Sequence, residues 1–192
     1  VPSALSTEQA FLEELRLLPL ADERNAAIAE IEPATFAAPA LPPRFTVHTT
    51  INTDGFGMCQ LYWHPVGDAH PNGLNVGRLT FAVYSADEAL LEVEALMQKS
   101  AAELKNVDVV HQLRGFGAGV ALVRHMLDAL RKRGGIDFVA LHHFDRGSGK
   151  LVSWFESMGF VSATDVLPAD LTLLRSPSGK DLMLAPIDLL EV

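Results

Sequence analysis

The stretch "VVHQLRGFGAGVALVRHML", running from Val109 to Leu127, decides the reading of this chain. A short apolar run ends at a charged, glycine-rich turn, and a helical pattern begins at once. Gly115, Gly117 and Gly119 fall within five residues at the mouth of that helix. The first turn of a helix exposes unpaired N–H groups and carries the positive end of the dipole, so it attracts phosphate oxygens. Glycine lets a phosphate approach the backbone closely, and Arg114 alongside can add charge. The competing explanation is a glycine-rich turn that serves only tight strand–helix packing. The turn alone leaves both open.

Outward from this turn the C-terminal half reads clearly. Val107–His111 has the pattern of a strand, and Ala118–Arg133 that of an amphipathic helix with Val123, Met126, Leu127 and Leu130 inward. Its last turn carries "RKR", which favours the dipole, and Gly134–Gly135 stops it. "IDFVALHHF" is a near-continuous apolar strand of the kind buried on both faces. "SGKLVSWFESMGF" predicts a second helix, and "DLTLLRSPSGKDLMLAPI" a closing hairpin. Strand, glycine turn, helix, strand, helix is an α/β core.

The N-terminal half is less regular. Residues 1–43 predict two helices, around Phe11–Leu18 and Ala21–Ile31, followed by the proline-rich connection "EPATFAAPALPPR". From Arg44 the period changes to two. "RFTVHTTI" and "GFGMCQLYW" predict a hairpin around Asn52–Gly55, a loop follows from Pro65 to Gly77, and "GRLTFAVYS" predicts a third strand. Between Ala86 and Asn106, Ser85 with Glu88 forms a capping-box pattern, and the apolar spacing favours a helix. Leu91, Val93, Ala95 and Met97 also alternate as in a strand.

Two familiar phosphate-binding patterns fail at the glycine turn. G-x-G-x-x-G would need glycine where Val120 stands, and Asp145 lies too far on to be the ribose acid. G-x-x-x-x-G-K-[ST] fails in "FDRGSGKL", where Phe144 replaces the first glycine and Leu151 follows the lysine.

"QLRGFGAG" instead resembles the coenzyme A motif of GCN5-related N-acetyltransferases, Q/R-x-x-G-x-G/A, here Gln112, Leu113, Arg114, Gly115, Phe116 and Gly117. The ending "MGF", at Gly159 and Phe160, resembles that of the family's later helix and lies at the right distance. The resemblance covers Val107 to Phe160 well and the first hundred residues poorly. It implies a mixed, mostly antiparallel α/β sheet with flanking helices, a domain over residues 44–192 and one globular unit over 1–192. The family order also favours strands over the helix for residues 86–106, with "LLEVEALMQ" and "ELKNVDVV" pairing as antiparallel strands.

The function the resemblance implies is transfer of an acetyl group from acetyl-CoA, or another acyl-CoA, to an amine of a small molecule or peptide. Backbone groups of Val109 and Val110 would bind the pantetheine arm. N–H groups from Leu113 through Ala118 to Gly119 would cradle the pyrophosphate. The thioester would lie between His111 and the Leu141–His143 end of the next strand. There the chain departs from the family pattern. The tyrosine that often serves as the acid is Phe155, and a frequent asparagine seven residues earlier is Ser148. Ser153, Tyr62 and Tyr84 are the candidate substitutes for that acid. The departure keeps open an acyl-CoA or acyl-carrier decarboxylase, or a CoA-binding module without transfer. A nucleotide-binding domain of another kind is the reading outside the family.

An amine must be uncharged to attack, and neutral imidazole accepts a proton near pH 7. Of seven histidines, His143 and His111 are the base candidates, because the resemblance places both at strand ends facing the thioester. His125 is expected to be solvated, and His48 and His64 structural. Tyr62 and Trp63 either line an acceptor pocket or simply bury one face of a hairpin. No helix carries metal-ligand spacing, so no metal is expected.

Composition sets the outer bounds. The chain has 192 residues, 48% hydrophobic and 20% charged, enough for a sizeable core. A net charge of −9 argues against non-specific nucleic-acid binding. The lone Cys59 excludes a disulfide framework and points to a reducing, cytoplasmic setting. No apolar run approaches the roughly 20 residues that span a bilayer, so no membrane partner is expected. The chain opens at Val1, as an excised domain or processed chain would, and nothing in it opposes a homodimer.

Overall fold

The computed structural model describes residues 26–29, 31, 34–36, 40–66, 71–85, 99–143, 149–163 and 181–190. Among them, β1 (Phe45–Ile51), β2 (Phe56–Trp63), β3 (Leu74–Tyr84) and β4 (Ala101–Val109) form an antiparallel meander. A 3-10 turn (His111–Leu113) leads into α1 (Ala118–Arg133), then β5 (Phe138–His143) and α2 (Lys150–Glu156). β6 (Val161–Ser162) and β7 (Asp181–Pro186) complete a sheet ordered β1-β2-β3-β4-β5-β7-β6. Among the described strands only β4 and β5 run parallel, as a strand–helix–strand crossover through α1 requires. This is the mixed, mostly antiparallel sheet expected from the sequence.

Local chemistry explains the well-read elements. The β1–β2 hairpin closes where the Asn52 side-chain oxygen accepts the Phe56 N–H at 2.8 Å and the backbones of the two residues pair. α1 buries Ala118, Leu122, Met126 and Leu130 along one stripe against the sheet. A fully buried leucine of this kind is worth roughly 1.5–3 kcal/mol. At its other end Arg131 donates to the carbonyls of Ile187 and Leu190 at 3.1 and 2.7 Å, tying the last described turn to the helix. Ile28, Ile31 and Phe36 join the same core as the sheet residues.

One open choice is decided and two expectations change. Ala101–Asn106 belong to β4, so the strand that the family order favours over "ELKNVDVV" holds there and the local helical pattern does not. Ala101, Ala102, Glu103 and Leu104 pair with β3 on one side and β5 on the other, and that pairing overrides local helix propensity. The strand expected over Val107–His111 ends at Val109, and His111 opens the 3-10 turn. β3 starts at Leu74, three residues inside the expected loop. The alternation at Leu91–Met97, the helix at Phe11–Leu18 and most of the closing hairpin lie outside the described residues, although β7 supplies its last strand.

Candidate active site

The site arises from one irregularity in β4. Its register with β3 runs Phe81↔Leu104 and then Thr80↔Asn106, so Lys105 is an extra residue without an opposite number. A bulge of this kind bends the strand and increases its twist. Pairing between β4 and β5 stops at that place, with Leu104↔Leu141 as the last pair. Beyond it β4 stays with β3 as far as Val109, while β5 stays with β7 through His142 and His143. The sheet opens along this seam into a cleft of about 620 Å³, walled by Val107, Val109, Leu141, His142, Trp154 and Phe155 among others.

The backbone at the seam is half satisfied. The Val110 N–H donates to the Val76 carbonyl at 3.0 Å, which makes that pair a hydrogen-bonded one. Antiparallel ladders alternate, so Val107 and Val109 turn their N–H and C=O groups away from β3 and toward the seam. The Val109 carbonyl there accepts a hydrogen bond from Arg114 Nε at 2.8 Å. Of the two residues expected to meet the pantetheine arm, Val109 therefore faces the cleft and Val110 is committed to β3. Val107, which sequence reading missed, shares the orientation of Val109.

The helix mouth answers the question raised by the glycines. The first helical bond of α1 runs from the Ala121 N–H to the Gly117 carbonyl at 2.9 Å, which leaves Ala118, Gly119 and Val120 without intrahelical acceptors. No side chain caps them, and no acidic residue sits in the first turn. All three line the cleft, with Leu113, Arg114, Gly115 and Gly117. The glycines also carry packing duties. Gly117 has φ 89°, and a Cβ there would lie 2.8 Å from the Phe36 carbonyl oxygen. Gly115 has φ 81° with nothing among the described residues within 4 Å of its Cβ direction. Packing accounts for Gly117, whereas Gly115 is bare toward open space.

The remaining expected cofactor residues are distributed unevenly. Leu113 is fully buried and braces the turn. Gln112 is half-buried and Phe116 exposed; neither lines the cleft, and the Phe116 carbonyl accepts the Phe36 N–H at 2.8 Å. Arg114 lies 3.6 Å from Asp108 as well as on the Val109 carbonyl. Ser148 lies outside the described residues. Phe155 is 4% exposed and wedged between Trp154 and Phe160, with ring centroids at 4.7 and 5.7 Å.

The two base candidates part company. His111 is exposed on the 3-10 turn and outside the cleft lining. His143 lines the cleft, is 7% exposed, and its Nδ1 has no hydrogen-bond partner among the described residues. Sequence reading passed over His142 and Glu103. His142 also lines the cleft, and its Nδ1 lies 3.4 Å from Glu103 Oε1. The other carboxylate oxygen of Glu103 accepts from Tyr84 Oη at 3.2 Å and from Lys105 Nζ. No sequence spacing could have joined these four, because they come from three strands and a bulge.

Elsewhere the residues weighed from sequence have ordinary places. His64 bonds Thr46 at 2.9 Å, His48 packs edge-on against Tyr62, and Trp63 belongs to the core. Tyr84 is held on Glu103, and Ser153 is exposed on α2. His125, expected to be solvated, is half-buried on α1, and burial pulls its imidazole below the ordinary range. Cys59 is fully buried; burial pushes its thiol up to about 11 despite the hydrogen bond from Thr49. Among the described residues no group of His, Cys, Asp or Glu could hold a metal ion, and no helix is long and apolar enough to cross a membrane.

With this geometry in hand, the fold is that of the GCN5-related N-acetyltransferases. The chain is similar to Arabidopsis thaliana NAA60 in complex with acetyl-CoA, at TM-score 0.50 and 16% identity, over 70% of this chain and 77% of that one. It is similar to the same plant protein in complex with a bisubstrate analogue at TM-score 0.50 and 14% identity, over 69% and 76%. No protein-family model matches the sequence, and no curated protein matches it.

Proposed function

We propose that this protein transfers an acyl group, acetyl in the first instance, from an acyl-CoA to the amine of a small molecule or peptide. One observation carries the reading: an uncapped helix N-terminus opens onto a cleft made where two strands part. The unpaired N–H groups of Ala118, Gly119 and Val120 suit a pyrophosphate, and Arg114 stands beside them. The open edges of Val107 and Val109 suit an extended chain with amide groups, which would add to the sheet as a further strand does. Leu141, Trp154 and Phe155 give the reacting end apolar walls that exclude water. The fold shared with acetyl-CoA-bound NAA60 supports the same ligand.

In this reading the chain orients the thioester and accepts a proton from the amine. The nitrogen bonds to the carbonyl carbon and the C–S bond breaks. Phe155 cannot donate a proton, so the sulfur departs without help from that position. This departure also favours a second reading, decarboxylation of a carboxylated acyl-CoA or binding without transfer.

A thermal-shift comparison of acetyl-CoA, malonyl-CoA, NAD and ATP tests the proposal. Acetyl-CoA at a hundred times its Kd should add about 2.7 kcal/mol of stability. Stabilisation by NAD or ATP but by neither acyl-CoA would sink it. Coenzyme A release that depends on added amine marks transfer, whereas carbon dioxide from malonyl-CoA marks decarboxylation.

A further inference from the structure

We infer that His142 is the group that takes the proton from the attacking amine, and that Glu103 is the residue that positions its ring. The inference rests on the acyl-transfer reading and goes beyond it by assigning the proton.

Glu103 is 8% exposed, on the part of β4 that is paired on both sides. Its Oε2 is occupied by Tyr84 from β3 and by Lys105 from the bulge. Lys105 supplies the countercharge that a buried carboxylate needs. Oε1 is left for His142, at 3.4 Å. A carboxylate only accepts hydrogen bonds, so the nitrogen facing it must be Nδ1–H. The neutral ring then carries its lone pair on Nε2. A separation of 3.4 Å is long for a hydrogen bond, as contacts at unliganded catalytic sites often are.

Neither other candidate has this support. Successive residues on a strand point to opposite faces, so His143 cannot share the carboxylate that holds His142. His111 is exposed and outside the cleft. The proton balance is complete. A protonated amine gives one proton to His142 Nε2, its nitrogen bonds to the thioester carbon, and the C–S bond breaks. The second nitrogen proton goes to the departing sulfur, directly or through solvent, and His142 returns its own proton to water.

The test combines ring chemistry with rate. In the full chain with 15N-labelled histidine, ring shifts should show His142 as the Nδ1–H tautomer, and Glu103→Gln should mix the two tautomers. Coenzyme A release from acetyl-CoA is followed with a thiol reagent, with a free-α-amine peptide, lysine and a polyamine supplied together. His142→Gln should lower the rate about 10²–10⁴-fold near neutral pH and recover at high pH, where free amine is abundant. Glu103→Gln should lower it by a smaller factor and alter the pH profile, with acetyl-CoA affinity retained in both. An unchanged pH–rate profile in His142→Gln, or an unchanged tautomer in folded Glu103→Gln, overturns the inference while transfer stands. If Glu103→Gln does not fold, His142→Asn and His142→Gln decide the matter by their rates. A parent that neither binds acetyl-CoA nor releases coenzyme A removes the acyl-transfer reading and this inference with it.

Discussion

The two halves of β4 belong to one strand and do opposite things. From Ala101 to Leu104 the strand is paired on both sides and its side chains are buried. From Asn106 to Val109 it keeps β3 and loses β5, and one of its edges faces the cleft. A single unpaired residue in the β3 register separates them. The closed half is stabilised by burial, whereas the open half turns backbone groups of Val107 and Val109 toward the cleft, where Arg114 Nε already donates to the Val109 carbonyl. Adjacent residues on one strand thus serve stability and, in the proposed reading, ligand binding, and substitutions should tell them apart.

The largest effect is expected at the helix mouth, where both demands meet. Gly117→Ala forces a side chain into a left-handed backbone, costing about 1–2 kcal/mol, and drives its Cβ onto the Phe36 carbonyl. Gly115→Ala carries the backbone cost alone, since none of the described residues lies within 4 Å. Urea denaturation should therefore place Gly117→Ala below Gly115→Ala. Equal losses would show that the contact with Phe36 is not made in solution.

A purely structural loss is expected in the closed meander. Gly57 lies opposite Phe81, and a Cβ there would sit 2.1 Å from the tip of that fully buried ring. Overpacking of this kind costs about 1–3 kcal/mol. Gly57→Ala should lower the denaturation midpoint and leave acetyl-CoA affinity as it was. Lost affinity in a folded variant would mean that the meander and the seam are coupled. Cys59, in the same meander, should stay unmodified by iodoacetamide at pH 8, because burial keeps its thiol protonated up to about 11. It should react once the chain is unfolded.

How much of this was legible in sequence depends on whether the cause is local. α1 shows its apolar stripe, basic last turn and stopping glycine in consecutive residues, and the structure has it from Ala118 to Arg133 as expected. The hairpin at Asn52–Gly55 is equally local. β4 was hard because Ala101–Leu104 is extended only through its two neighbours, one of them some 37 residues away at Phe138. The glycine turn was legible as a bare helix mouth, but the load on Gly117 comes from Phe36, far back in the chain. The Glu103–His142 pair depends on a parallel register and a bulge, neither of which leaves a sequence mark.

The smallest effect is the most direct measure of the open seam. In an antiparallel ladder, amides alternate between bonding the neighbouring strand and facing away from it. The Val110 N–H is bonded to Val76, so the amides of Val109 and Val107 face the seam, where β5 no longer pairs. Hydrogen exchange in the free protein should then be slow at Val110 and faster at Val107 and Val109. It should be slow again at Leu104, which has strands on both sides. The difference reports local opening rather than global unfolding, so it should persist well below the melting temperature. Acetyl-CoA should slow Val107 and Val109 selectively if an extended ligand occupies the edge. Uniform slowing across β4 would mean that binding stabilises the whole sheet without using that edge. Val107 and Val109 as slow as Val110 in the free protein would mean that the seam closes in solution.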